Sequence, residues 1–167
     1  ILLKKGGNEA EIDLAEDQGI ALFSATGSCE MGTALAPKVA KRLGRSLLEL
    51  GGNNAAIVCK SADLDLTIKG ITFSAAGTTG QRCTTLRRLF VHSEVHDVVL
   101  SRLKKSFSHL KIGDPMDRNT QVGPLISEQS FKQMQEKLAS CKSKGLTVTG
   151  GDRIDHATEV YVTPAIV

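Results

Sequence analysis

Apolar positions along this chain fall into short runs and four-residue stripes that alternate with one another, the pattern of an α/β domain rather than of a helical bundle or a β-sandwich. Residues 20–23 read as a short buried strand. Gly27-Ser28 then opens a helix, with Ser28 as its N-cap and Met31, Leu35, Val39 and Leu43 spaced four apart on one face. Pro37 falls inside that stripe; a proline removes a backbone donor at a cost of about 3 kcal/mol, so a break or kink is expected there. Residues 46–50 form a second strand candidate that stops at Gly51-Gly52. From Asp63 a helix carries Leu64, Ile68, Ile71 and Ala75 on one stripe.

That helix leads to Gly77-Thr78-Thr79-Gly80-Gln81-Arg82-Cys83, where the glycines are expected to end the helix and let the chain turn tightly. Residues 89–92 read as a strand. Ser93 is the expected cap of the next helix, whose apolar face is Val95, Val98, Val99, Leu103, Phe107 and Leu110. A polar stretch rich in turn formers spans residues 113–124. Ser127 then caps a helix with Phe131, Met134, Leu138 and Cys141 inward, ended by Gly145 before a strand at residues 146–149. Residues 161–167 read as a further strand with no closing turn, and with Ile1 in place of Met the two ends are taken as arbitrary.

A hydrophobic fraction of 41% and a charged fraction of 23% exclude a disordered or fibrous class. No run approaches the roughly 18 apolar residues of a membrane helix, and no leader or targeting segment opens the chain, so a membrane is not an expected partner. The net charge of +3 comes from mixed-sign segments without a long basic run; with one Tyr and no Trp there are no stacking platforms, and nucleic acid is excluded too. Cys29, Cys59, Cys83 and Cys141 show no CxxC spacing and no zinc-type interval with histidine. This argues for reduced thiols and no metal. His92 and His96 straddle a strand end and a helix start and are not expected to share a metal.

Three segments could carry chemistry. The turn Gly27-Ser28-Cys29-Glu30-Met31-Gly32 sits between a strand and a helix start, where free N–H groups and the helix dipole favour an anion such as a pyrophosphate; an ordinary cap is the plainer alternative. Cys83, with Arg82 and Arg87 nearby in sequence, is either a thiolate held by positive charge or a small buried apolar residue. Glu49, inside an apolar strand, either faces a cleft, where burial would raise its pKa toward that of a general base, or sits at an edge facing water.

In this order Thr26-Gly27-Ser28, Glu49-Leu50-Gly51-Gly52 and Gly80-Gln81-Arg82-Cys83 resemble the aldehyde dehydrogenase superfamily. The likeness continues through Ile112-Gly113-Asp114-Pro115, Gly123-Pro124-Leu125 and Val162-Thr163-Pro164. Gly52-Asn53-Asn54-Ala55 and Cys83-Thr84-Thr85 look most like its antiquitin branch, the α-aminoadipic semialdehyde dehydrogenases. The resemblance implies an α/β fragment, with residues 1–50 from the end of a Rossmann-like NAD-binding domain and residues 51–167 from the catalytic domain. It implies aldehyde oxidation with NAD, or NADP, in which Cys83 forms a thiohemiacetal and then a thioester that Glu49-activated water hydrolyses. Gly27, Ser28, Gly32, Leu50 and Gly51 would bind the cofactor and Arg82 a substrate carboxylate.

The parent would be a homotetramer acting on a small-molecule aldehyde in the cytoplasm or mitochondria. Ala25, Glu11 and Pro37 depart from the family pattern. The family's Pro-Trp-Asn, Lys-Pro-Ser and Phe-Gly-Pro segments have no counterpart here. The alternatives are therefore a truncated, non-catalytic copy and, more remotely, a cofactor-free thiol esterase.

Overall fold

A computed structural model describes residues 8–154 and 159–167, with the side chains of residues 8–11 left aside, so Glu11 lies outside the described side chains. The chain divides between Gly52 and Asn53 into two compact units.

The first unit runs α1 (Asn8–Glu16), β1 (Leu22–Thr26), α2 (Cys29–Lys41) and β2 (Arg45–Glu49). β1 and β2 pair in parallel, from Leu22 opposite Arg45 to Thr26 opposite Glu49. Parallel strands need a crossover, and α2 provides it. Ala15, Phe23, Leu35 and Val39 are buried together, with Ala25 and Leu48 from the same face of the sheet packed against them. Two expectations for α2 need correction. The helix runs unbroken through Pro37, which lies on its exposed face, so the Thr33 carbonyl left without a donor can be hydrated. Leu43 is not on the inward stripe: the helix has ended at Lys41, Leu43 takes φ 59°, and its side chain is 94% exposed. Arg42 ties the end of α2 back to the core edge, donating to the Ala15 and Ile20 carbonyls at 2.8 and 2.7 Å.

The second unit contains β3 (Asn54–Val58), α3 (Leu64–Ala76), β4 (Leu86–Val91), α4 (Ser93–Ser108), α5 (Glu128–Ser143), β5 (Arg153–Ile154) and β6 (Tyr161–Val162). β3 and β4 are parallel, with Ala55 opposite Arg88 and Val58 opposite Val91. One face of this pair packs on α3 and α4 through Val58, Leu89, Val91, Ile68, Ile71, Val99 and Leu103. On the other face the register partners Ile57 and Phe90 stay 77% and 55% exposed. α3 starts where expected, Asp63 Oδ1 accepting from the Asp65 and Leu66 amides. Ser127 caps α5 in the same way through the Ser130 amide, and Gly145, at φ 78°, follows that helix.

The departures have local causes. β3 was not expected, because one asparagine and two alanines hide a strand that its pairing with β4 creates. α4 is capped by His92, whose Nδ1 accepts from the Glu94 amide at 3.3 Å, and Ser93 is its first helical residue. Val98 is half exposed because it stands about 100° round the helix from buried Val99. Residues 146–148 pair with nothing among the described residues, and Thr149 alone bridges to Ile166. In the last segment the ladder covers only Tyr161–Val162, as Pro164 has no amide to continue it, and Ile166 adds the single bridge to Thr149. No helix of the described residues is long and apolar enough to cross a membrane.

Candidate active site

The first unit gathers the turn after β1 and the end of β2. The Gly27 amide donates to the Glu49 carbonyl at 3.0 Å, Ser28 Oγ accepts from the Met31 amide at 3.0 Å, and Cys29 Sγ donates to the Gly51 carbonyl at 3.8 Å. A Cβ on Gly32 would lie 2.5 Å from Leu50 Cδ1, so the missing side chain at position 32 is what seats Leu50 on α2. The structure thus brings Gly27, Ser28, Gly32, Leu50 and Gly51 into one neighbourhood at the N-terminus of a 13-residue helix. The amides of that first turn, together with the helix dipole, suit a phosphate group, and Glu30 in the same turn works against it. Glu49 points to the same face of β2 as Arg45 and Leu47. Its side chain is exposed, as in the water-facing alternative, and is not buried in a cleft.

The second unit holds Cys83. α3 ends at Ala76, and the turn Gly77–Gly80 follows with an unusual backbone: Thr78 and Thr79 both have φ 55° and Gly80 has φ 67°. Of the two glycines expected to turn the chain, Gly80 is left-handed while Gly77 has φ −56°; the other left-handed positions fall on β-branched threonines, which rarely adopt them. Neighbours hold this turn in place. Thr79 Oγ1 donates to the Gly123 carbonyl at 2.8 Å, and the Gln81 side chain accepts from the Ile126 amide at 2.8 Å while donating to the Pro124 carbonyl at 3.2 Å.

Beyond the turn, Asn54 Nδ2 at the head of β3 donates to the Cys83 carbonyl at 2.6 Å and the Thr85 carbonyl at 3.0 Å. The Cys83 backbone is therefore anchored from β3 on one side and from residues 123–126 on the other, and its thiol is exposed.

The two arginines are engaged elsewhere. Arg82 NH2 donates to the Phe73 carbonyl at 2.8 Å, with the guanidinium 4.6 Å from the Phe73 ring centre, and its Nε is buried without a hydrogen-bond partner among the described residues. Arg87 donates to the Gly80 carbonyl at 2.7 Å. Both cations thus serve backbone carbonyls beside the Cys83 segment. Residues that the sequence reading did not single out for this role are Asn54, Thr79 and Gln81. Their signal was present, since short amides and hydroxyls beside glycines are the groups that bond to neighbouring backbone.

Two carboxyls are held below their usual range: Asp65 by its hydrogen bond from Arg102, and Glu128 by that from Arg153. A cavity of about 850 Å³ opens between α3 and α4, lined by Ile68, Phe73, Arg102, Lys105, His109 and Val122 among others; Cys83 does not line it.

Comparison with known proteins shows the family. The model of the aldehyde dehydrogenase family matches residues 1–167. The α-aminoadipic semialdehyde dehydrogenase of Bos taurus is 43% identical over 162 residues, 97% of this chain and 30% of that protein; its Rattus norvegicus counterpart is 44% identical over 163 residues, with the same coverage. Among solved structures, an NAD-dependent aldehyde dehydrogenase from Sinorhizobium meliloti superposes with a TM-score of 0.91 at 32% identity, covering 95% of this chain and 32% of that one. An E. coli NADP-dependent enzyme gives 0.89, also at 32% identity, covering 96% of this chain and 33% of its own. The chain thus spans about 30% of the length of these curated relatives. With the family model matching residues 1–167 and the fold superposing on solved members, the chain belongs to the aldehyde dehydrogenase family.

Proposed function

We propose that this chain is the central segment of an NAD(P)-dependent aldehyde dehydrogenase, with residues 1–50 from the cofactor domain and residues 51–167 from the catalytic domain. The substrate is a semialdehyde of the aminoadipic type. What carries the reading is an exposed thiol, Cys83, on a backbone anchored from two sides in a chain of this family. Anchoring of this kind suits a nucleophile, because fixing the attacking atom removes entropy from the barrier.

Cys83 Sγ adds to the aldehyde carbon to give a thiohemiacetal, which after oxidation becomes a thioester. A bound nicotinamide dinucleotide supplies the hydride acceptance, and Gly27, Ser28, Gly32, Leu50 and Gly51 would hold it at the start of α2. Glu49 takes a proton from the water that hydrolyses the thioester, its exposed carboxylate being open to solvent. The Cys83 thiolate then leaves. Arg82 is the candidate for a substrate carboxylate, whose planar geometry a guanidinium matches once its hydrogen bond to the Phe73 carbonyl is released.

The test is turnover. Cys83→Ser in the protein carrying this segment should lose aldehyde oxidation, followed by NADH absorbance, while nucleotide binding persists; undiminished oxidation would reject the thiol. A second reading is favoured by coverage of only about 30% of the relatives: a truncated copy without catalysis. Purifying the chain as it stands and supplying a semialdehyde with NAD or NADP separates the two, and robust turnover rejects the truncated copy.

A further inference from the structure

We infer that Gln81 is a positioning residue for the Cys83 nucleophile, acting through the backbone rather than by touching substrate; the inference rests on the catalytic reading of Cys83 above. Gln81 lies two residues before Cys83 and directly after three consecutive left-handed residues, Thr78, Thr79 and Gly80. A left-handed residue with a side chain costs about 1–2 kcal/mol, so such a turn persists only where its surroundings hold it.

The Gln81 amide is the group that closes the arrangement. Its Oε1 accepts from the Ile126 amide at 2.8 Å, and its Nε2 donates to the Pro124 carbonyl at 3.2 Å and the Thr78 carbonyl at 3.3 Å. One side chain thus satisfies a donor and an acceptor of a segment more than 40 residues away, in the way a neighbouring strand would, and also grips the strained turn behind it.

Downstream, the Cys83 segment is closed by two short-range bonds, the Arg82 amide to Thr85 Oγ1 at 3.1 Å and the Thr85 amide to the Arg82 carbonyl at 3.1 Å. Asn54 fixes the far end at the Cys83 and Thr85 carbonyls. Gln81 is therefore the near anchor of a short span whose far anchor is Asn54, with Cys83 between them. No other side chain bonds both ways to residues 123–126 among the described residues; Thr79 makes one bond there. Because the Gln81 side chain is exposed, its contribution is hydrogen bonding rather than packing.

The test compares Gln81→Met, equal in length and unable to hydrogen-bond through its end, with Gln81→Glu, which keeps the acceptor for Ile126. The full chain is alkylated with iodoacetamide across a pH series and each cysteine is followed by peptide mass spectrometry, so Cys29, Cys59 and Cys141 act as internal references. In Gln81→Met, which loses all three side-chain hydrogen bonds of Gln81, the Cys83 rate should depart from wild type by about five-fold or more, about five-fold being the size of one such bond. The midpoint of its pH profile should move while the other three cysteines keep theirs, and Gln81→Glu should fall between.

A Cys83 rate and pH profile unchanged in Gln81→Met overturn the inference. So does equal acceleration at all four cysteines, which reports general loosening. As the readout needs no turnover, it stands or falls separately from the assay of aldehyde oxidation.

Discussion

At Gly32 and Gly70 the same substitution meets opposite surroundings. A Cβ at Gly32 would be 2.5 and 2.7 Å from the two Leu50 methyls, whereas one at Gly70, midway along α3, meets nothing within 4 Å. Replacing helical Gly by Ala is worth about 1 kcal/mol in propensity, while overfilling a packed contact costs about 1–3 kcal/mol. Gly70→Ala should therefore raise the denaturation midpoint, by about 0.5–1 kcal/mol in stability. Gly32→Ala should lower it by about 1 kcal/mol as Leu50 is pushed from its seat. Urea titrations of the two variants check both signs, and a stabilised Gly32→Ala would show that Leu50 is not held by α2. Since Leu50 follows Glu49, the same variant is also the gentlest way to disturb the proposed base without altering it.

Among the elements, the turn between α3 and β4 has the least ordinary backbone. Thr78 is exposed and its side chain makes no hydrogen bond among the described residues, so Thr78→Gly should relieve left-handed strain of about 1–2 kcal/mol against a glycine entropy cost of about 0.5–1 kcal/mol. The net gain should be about 0.5–1 kcal/mol by thermal or urea unfolding. Thr79→Gly should gain less, because it forfeits the bond to the Gly123 carbonyl. Equal gains in both variants would mean that this bond contributes nothing.

This turn also marks how far the sequence could be read. Helices with capping residues and four-residue stripes were legible: α2, α3 and α5 begin at the expected caps because Ser28, Asp63 and Ser127 each have a first-turn amide within reach. β3 was not, since its sequence lacks alternation and the strand exists through its partner β4. At the candidate site, Cys83 and Glu49 could be nominated from motifs. The exposure of Glu49, the engagement of Arg82 with Phe73 and the anchoring by Asn54 and Gln81 depend on contacts between distant segments that no local pattern encodes.

For the molecule as a whole, exposed apolar surface is the dominant fact. Parallel sheets are normally covered on both faces, yet Ile57 and Phe90 stand open on one pair and Leu22 and Leu47, 49% and 53% exposed, on the other. Burying one Ile and one Phe is worth about 1.5–3 kcal/mol each. The chain alone should associate at moderate concentration. Ile57→Thr with Phe90→Thr should raise the concentration at which light scattering reports association by about ten-fold or more, with unchanged circular dichroism. Association unaltered by this pair would place the sticky surface elsewhere.

The pairing of strands carries a separate consequence. Each parallel pair has only two members, so along each outer strand a row of amides and carbonyls remains without a ladder partner among the described residues. Such rims act as templates: they welcome any extended segment that can align with them, whether it completes an enzyme or begins a fibril.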